Sequence, residues 1–246
     1  MTTRESYSEA LGRLRAAQKP AARSAPAYSR FVNRRIGRVL AAACHTAGLT
    51  PNAVTGVSAV FTFTGIALLV LLPPSGWLGL AVAVLLLLGY AFDSADGQVA
   101  RLRGMSSPAG EWLDPLVDAL KVSTMPLALA VGLSRFDAVD RLWLLVPIGS
   151  AIVSAVLFFA MILTEQLRRQ HGSASIAADA PGRPSWLRAV LVLPMDYGVL
   201  CLSFLLLGVL PVFLAVYTFI ALATALFLLL ALIKWFREMK TLGGIR

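Results

Sequence analysis

The feature that most constrains this chain is a series of apolar blocks, each long enough to cross a lipid bilayer. A helix needs about 20 residues to cross the hydrocarbon core. Six such blocks lie near residues 53–72, 77–100, 112–133, 142–164, 190–209 and 211–234. The chain is 58% hydrophobic and 14% charged, whereas a soluble domain carries roughly 25% charged residues. The sequence therefore predicts an all-α integral membrane bundle of six transmembrane helices.

Two segments precede the first span. Residues 1–27 are polar and rich in Ala and Arg, and we expect them to form a mobile basic tail. In residues 28–49, Val32, Ile36 and Val39 share one helical face while arginines occupy the other faces. This pattern predicts an amphipathic helix that lies on an anionic membrane surface on the cytoplasmic side. The alternative is an ordinary solvated helix packed against the protein.

Lys and Arg residues outside the spans are divided unequally between the two sides of the membrane. Nineteen lie in the N-terminal segment, in 101–111, in 165–189 and from Lys234 onward, whereas only Arg135 and Arg141 lie on the other side. Cytoplasmic loops carry the basic excess in membrane proteins, so both termini are predicted to be cytoplasmic. The net charge of +9 then faces the cytoplasmic leaflet, which favours anionic lipids or phosphate-bearing substrates over nucleic acid as partners.

Four aspartates lie at one end of the second and third spans. Asp93 and Asp96 are three residues apart in the second span. Asp114 and Asp118 are four apart in the third, so each pair shares one helical face. A short loop joins these antiparallel helices, and the four carboxylates are therefore expected to face one another. Unpaired buried anions are costly, and Mg²⁺ or Mn²⁺ would relieve that cost because both prefer oxygen ligands.

The aspartates alone leave a second interpretation open. Buried acids also form ion pairs, here with Arg101, Arg103 or Lys121, or line the cation pathway of a transporter. These acids, however, lie near the ends of their spans, and no later span continues a polar path. Their position favours the metal site over the pathway.

The spacing of these residues carries a resemblance to a known family. The pattern is Asp93-x2-Asp96-Gly97-x2-Ala100-Arg101-x8-Gly110-x3-Asp114-x3-Asp118. It resembles the signature of the CDP-alcohol phosphotransferase family at every defined position and spacing. The chain is also similar to family members in its number of spans, in the amphipathic segment before them, and in the helix start at Thr50-Pro51-Asn52. The resemblance covers roughly residues 28–240, of which 50–240 would form the six-helix membrane domain.

The resemblance implies two divalent cations, Mg²⁺ or Mn²⁺, and a division of roles among the aspartates. Asp93, Asp96 and Asp114 would bind the ions. Asp118 would complete the metal site and act as the catalytic general base, a role worth about 10²–10⁴-fold in rate.

The reaction implied belongs to phospholipid biosynthesis. A phosphatidyl, or phospho-alcohol, group would pass from a CDP-linked donor to an acceptor hydroxyl with release of CMP. Gly97, Ala100 and Gly110 would leave room for the CDP group, and Arg101 would hold a phosphate or support the acidic cluster. CDP-diacylglycerol fits as donor because its acyl chains can remain in the bilayer. The alternative is a soluble CDP-alcohol with a lipid or polyol-phosphate acceptor.

The acceptor site is less defined by the sequence. The candidates for it are Lys121, Arg168, Arg183, Arg188 and Asp196. Lys121 either neutralises the acids or holds an acceptor phosphate, and the arginines either set topology or bind a phosphorylated polyol. Asp196 is alternatively a partner of Arg188. Members that use inositol phosphate resemble Asp-x3-Asp-Arg, whereas this chain has Ala119 at the last position, and the acceptor therefore stays open.

Two hypotheses of other classes remain. A cation-coupled transporter with an acidic site predicts cation flux without CMP release. A non-catalytic scaffold is disfavoured because all four aspartates are present. Family members are often dimers, and the apolar third and fourth spans are a candidate homodimer interface. The Ala-, Leu- and Arg-rich composition is typical of a GC-rich bacterium, in which the protein would lie in the inner or plasma membrane.

Overall fold

The computed structural model describes residues 5–17, 26–104, 107–173 and 193–242. Every regular element in these ranges is helical. The α-helices are α1 (Tyr7–Ala16), α2 (Arg34–Thr46), α3 (Pro51–Leu71), α4 (Gly76–Arg103), α5 (Pro108–Arg135), α6 (Leu145–Gln170), α7 (Tyr197–Ser203) and α8 (Leu210–Leu242). A π-helical turn, Ser29–Asn33, precedes α2, and 3₁₀ turns occur at Arg141–Leu144, Leu193–Met195 and Phe204–Leu206.

Five helices in the described ranges are long and apolar enough to cross a membrane. They are Pro51–Leu71, Gly76–Arg103, Pro108–Arg135, Arg141–Gln170 and Leu210–Leu242. This confirms an all-α membrane bundle. The remaining predicted span, near 190–209, begins among residues that the structure does not describe, and its described part is the short apolar helix Tyr197–Leu206. A count of six spans stays a prediction.

Side-chain caps and a glycine define the helix ends near the candidate site. Thr50 caps α3 by accepting a hydrogen bond at Oγ1 from the Ala53 backbone N–H at 3.2 Å. Ser107 caps α5 in the same way, accepting from the Gly110 N–H at 3.1 Å. Gly104 ends α4 with a φ of +62°, a left-handed conformation that glycine adopts without steric cost. The next helix, α5, begins four residues later, at Pro108.

The main apolar core lies toward the opposite end of α3, α4 and α5 from the aspartates. Its buried side chains include Ile66, Leu69, Val82, Leu86, Met125, Leu129, Phe204 and Phe213. Close approach of the helices is possible because small residues lie at the contacts, as is usual in membrane bundles. The Ser58 hydroxyl donates to the Gly89 carbonyl at 2.8 Å between α3 and α4, and Gly132 of α5 lies directly against the Leu69 carbonyl of α3.

The N-terminal segment differs from the predicted mobile tail. Residues 7–16, within the 1–27 segment, form α1, which packs against α2 and α4 through the buried side chains of Ala10 and Leu14. Arg13 donates from Nη2 to the Leu102 carbonyl at 3.1 Å and so joins α1 to the end of α4. Two apolar residues four apart form too short a pattern to distinguish a docked helix from a tail.

The predicted amphipathic segment is helical, and its apolar face is open. Gly37 and Ala41 are buried in the packing of α2 on α4. Val32, Ile36 and Val39 are 38%, 42% and 49% exposed, so described residues do not cover the face that they form. This exposure favours contact with lipid over the alternative of an apolar face packed against the protein. The placement of α2 on a membrane surface stays a prediction.

The contact at Gly132 generates a stability prediction. A Gly132→Ala methyl would overlap the Leu69 carbonyl, and overpacking of this kind costs about 1–3 kcal/mol. We expect a lower thermal unfolding midpoint for the purified variant in detergent. Gly56→Ala is the control, because nothing lies within 4 Å of the added methyl there. Equal midpoints for the two variants would show that the α3–α5 contact is not tight.

Candidate active site

Three of the predicted metal ligands lie close together, one on the second half of α4 and two on the first half of α5. Asp93, Asp114 and Asp118 each offer a carboxylate oxygen, and these oxygens all lie within 4.8 Å of one another. The three side chains are half-buried. Three of the four carboxylates that the sequence spacing predicts to face one another therefore do so. One or more cations could bridge them.

Asp96 is held differently from the other three aspartates. It is 7% exposed, and its Oδ2 accepts a hydrogen bond from the Thr55 hydroxyl of α3 at 2.6 Å. Its Oδ1 accepts from the Gly97 backbone N–H at 2.5 Å. Asp96 therefore faces α3 and lies outside the close group of three. Thr55 was not predicted as a site residue, because α3 also contains Ser58, Thr62 and Thr64 and nothing in the sequence distinguishes Thr55 from them.

Lys121 is the positive charge that accompanies the carboxylates. It is 6% exposed, forms an ion pair with Asp118, and has its Nζ 4.0 Å from Asp93 Oδ1. The Nζ also lies 4.9 Å from the centroid of the Tyr197 ring of α7, within the range of a cation–π interaction. This is the geometry of a counter-ion to the acids, the first of the two roles considered for Lys121.

A cavity of about 350 Å³ opens between the start of α3, the end of α4 and the start of α5. Its lining includes three residues of the predicted CDP site, Gly97, Ala100 and Gly110, together with Asp96 and Asp114. The volume lies in the range of small-molecule sites. The α3 start contributes a wall that sequence reasoning treated only as a helix cap, formed by Thr50, Pro51, Asn52 and Thr55.

Arg101, the fourth predicted CDP-site residue, lines a neighbouring cavity. That second cavity has a volume of about 370 Å³ and shares Gly97 with the first. A methyl built on Gly97 would lie 3.9 Å from Nη1 of Arg101. The Arg101 guanidinium thus lies beside the shared glycine.

One of the three arginines proposed for the acceptor site lies among the described residues. Arg168 of α6 forms an ion pair with Glu238 of α8 at 2.5 Å, a contact that joins two helices. Arg183 and Arg188 lie outside the described residues. A role of these arginines in acceptor binding stays a prediction.

Asp196 joins two segments that are distant in sequence. It is 1% exposed. Its Oδ2 accepts hydrogen bonds from the Tyr28 N–H at 2.7 Å and the Ser29 N–H at 3.2 Å, and its Oδ1 accepts from the Gly198 N–H at 3.0 Å. This carboxylate caps α7 and fastens the start of the amphipathic segment to it. Its expected partner, Arg188, lies outside the described residues.

Three tyrosines continue from this junction toward Lys121. Tyr28 stacks on Tyr90 with ring centroids 6.3 Å apart. Tyr90 meets Tyr197 edge to face at 5.1 Å, and Tyr197 in turn lies against Lys121. The aromatic contacts therefore link the N-terminal segment, α4 and α7 to the acidic cluster. Sequence reasoning assigned no role to these tyrosines.

Comparison with known proteins agrees with the geometry. No curated protein matches the sequence significantly. The sequence profile of a family described as CDP-alcohol phosphatidyltransferase matches residues 48–237, a range that contains α3, α4, α5 and all four aspartates. This match covers more than half of the chain and includes both the carboxylate group and the cavity beside it. The chain therefore belongs to the CDP-alcohol phosphatidyltransferase family.

Proposed function

We propose that this protein transfers a phosphatidyl group from CDP-diacylglycerol to an acceptor hydroxyl and releases CMP. Family membership supports a membrane transferase of this general type. The observation that carries the proposal is the group of three aspartates, of which Asp114 lines a cavity of about 350 Å³ together with Gly97, Ala100 and Gly110. The cavity offers space for the CDP group directly beside the carboxylates.

The donor atoms fit hard divalent cations. Three carboxylates lie within bridging reach of one another, and Lys121 is the only described basic residue that forms ion pairs with them. We assign Asp93, Asp96 and Asp114 to two Mg²⁺ or Mn²⁺ ions, with Asp118 completing the site. Bound there, the ions would neutralise the donor diphosphate and the charge that develops on the leaving CMP.

The protein side chains would then perform positioning and proton transfer. The acceptor oxygen forms a bond to the phosphorus that carries the diacylglycerol, and the bond from that phosphorus to CMP breaks. Asp118 takes the hydroxyl proton as the new bond forms, because a neutral hydroxyl is a poor nucleophile. Lys121 holds the Asp118 carboxylate in place through their ion pair.

The location of the cavity supports a lipid donor. It opens at the ends of three apolar helices, so acyl chains can remain in the bilayer while the nucleotide occupies the cavity. The distribution of Lys and Arg supports an active site on the cytoplasmic side. A soluble CDP-alcohol would fill the same cavity without acyl chains. The test therefore compares donors with and without them.

The first test is release of CMP by the purified protein. With CDP-diacylglycerol, Mg²⁺ or Mn²⁺ and a panel of acceptor alcohols, we expect CMP release that Asp118→Asn lowers at least about 100-fold. Donor binding should be largely kept. Asp140→Asn is the control, because it removes a carboxylate near the start of α6, away from the cluster. Wild-type turnover by Asp118→Asn would show that Asp118 is not the general base. Cation flux in liposomes without CMP release would favour a transporter.

The hydrogen bond between Thr55 and Asp96 generates a second prediction. Thr55→Val removes the hydroxyl that holds the Asp96 carboxylate while keeping side-chain volume. Hydrogen bonds to charged groups contribute about 1.5–3 kcal/mol, and we expect kcat/KM for the CDP donor to fall about tenfold. Thr55→Ser keeps the hydroxyl and should keep most of the activity. Equal values for the two variants would show that this hydrogen bond does not position Asp96 for donor binding.

A further inference from the structure

The second cavity, of about 370 Å³, lies between α1, α2 and α4. The end of α1 contributes Leu14 and Ala17, and α2 contributes Arg34. The side of α4 that faces them contributes Ser94, Gly97, Gln98 and Arg101. None of these lining residues is acidic, so two guanidinium groups face a space that is separate from the carboxylate cluster.

The two arginines have no counter-ion among the described residues. Neither Arg34 nor Arg101 forms an ion pair there, and the nearby Asp96 carboxylate is engaged by the Thr55 hydroxyl and the Gly97 N–H. In the same described part of the chain, the acids of the α1 segment are also engaged: Glu5 pairs with Arg13, and Glu9 bonds with Ser6. The Asp96 carboxylate attracts Arg101 without forming an ion pair, so described side chains compensate the positive charge of the cavity only in part.

Further arginines surround the cavity on the α2 side. Burial lowers the pKa of Arg38, and the positive charges of Arg15, Arg35 and Arg34 lower it further. Arginines from α1 and α2 are thus close enough to repel one another. Mutual repulsion of this kind destabilises the docking of α1 and α2 unless an anion lies among the guanidinium groups.

We propose that this second cavity is a binding site for a phosphate group, held by the guanidinium groups of Arg34 and Arg101. Arginine presents paired N–H donors that match the oxygens of a phosphate. The Ser94 hydroxyl and the Gln98 amide add polar groups at the α4 wall. The site is distinct from the donor cavity, and its existence does not depend on the transfer reaction.

The position of α2 indicates where such a phosphate would come from. The helix exposes the apolar side chains of Val32, Ile36 and Val39 and directs Arg34 into the cavity. A helix that lies in the membrane interface holds its basic residues at the level of the lipid headgroups. The phosphate of an anionic phospholipid and a free phosphate both have the required chemistry, and the experiment separates these two sources.

The test uses two neighbouring arginines of α2 as a matched pair. Arg34 lines the cavity, whereas Arg35 is exposed and is absent from its lining. Arg34→Gln and Arg35→Gln remove the same charge from adjacent positions, so both weaken non-specific attraction of anions equally. A phosphate site held by Arg34 is weakened only by the first. Arg34→Lys and Arg35→Lys form a second pair that keeps the charge and removes the guanidinium, in case Arg34→Gln does not fold.

Binding is measured by calorimetry on the purified full-length protein in neutral detergent. One arm titrates inorganic phosphate and the other dihexanoyl-phosphatidylglycerol. Both contain EDTA, so that the acidic cluster carries no metal and cannot hold the added phosphate. We expect Arg34→Gln to raise the dissociation constant about tenfold and Arg35→Gln to change it less than twofold. Tighter binding of the lipid identifies a headgroup site, and tighter binding of inorganic phosphate identifies a site for free phosphate.

Two results would overturn the proposal. One is the absence of binding in both arms for the wild-type protein, and the other is equal weakening by Arg34→Gln and Arg35→Gln, which non-specific electrostatics predicts. The transfer reaction is not measured in this experiment. Asp118→Asn should bind both probes as the wild type does, so loss of the proposed catalytic function and loss of the phosphate site give different results.

Discussion

Repulsion among the carboxylates at the junction of α4 and α5 is the constraint on which the rest of the site depends. Asp93, Asp114 and Asp118 lie within 4.8 Å of one another, in a setting where unpaired charge is costly. Described side chains relieve this repulsion only in part, because Lys121 supplies one positive charge to the group. The remaining negative charge is what makes the site suitable for divalent cations and, through them, for a diphosphate.

Such a cluster persists only if its helices cannot move apart. The packing of both α4 and α5 against α3, and the apolar core toward the other end of the helices, supply that rigidity. A second set of contacts holds the same end of the bundle together. It runs from Asp196 through the stacked tyrosines to Lys121. Asp196 therefore acts on the site at a distance, by fixing the segment that carries Tyr197.

The sequence was sufficient to predict the features set by local periodicity. Asp93 and Asp114 belong to patterns of three and four residues, and a helix places such residues on one face whatever surrounds it. The start of α3 at Thr50 was predictable for the same local reason. These elements account for most of the described membrane bundle and for the side of each helix on which the aspartates lie.

Contacts between distant segments could not be predicted from periodicity. The hydrogen bond from Thr55 to Asp96 joins residues 41 positions apart, and that from the Tyr28 N–H to Asp196 spans 168. Neither is encoded in the spacing of either segment. Asp196 shows why its partners could not be predicted. They are backbone N–H groups, which every segment possesses. The sequence suggested a partner only by charge, namely Arg188.

The two cavities meet at Gly97, and their opposite charges follow from the rotation of a single helix. Successive residues of an α-helix are about 100° apart, so Arg101, eight residues after Asp93, lies about 80° from it around α4. One side of α4 thus presents carboxylates and the adjacent side presents a guanidinium. Gly97 lies between them without a side chain to separate the two spaces. A phosphate bound to the arginine side would therefore lie close to the donor diphosphate, with the backbone of α4 between the two anions.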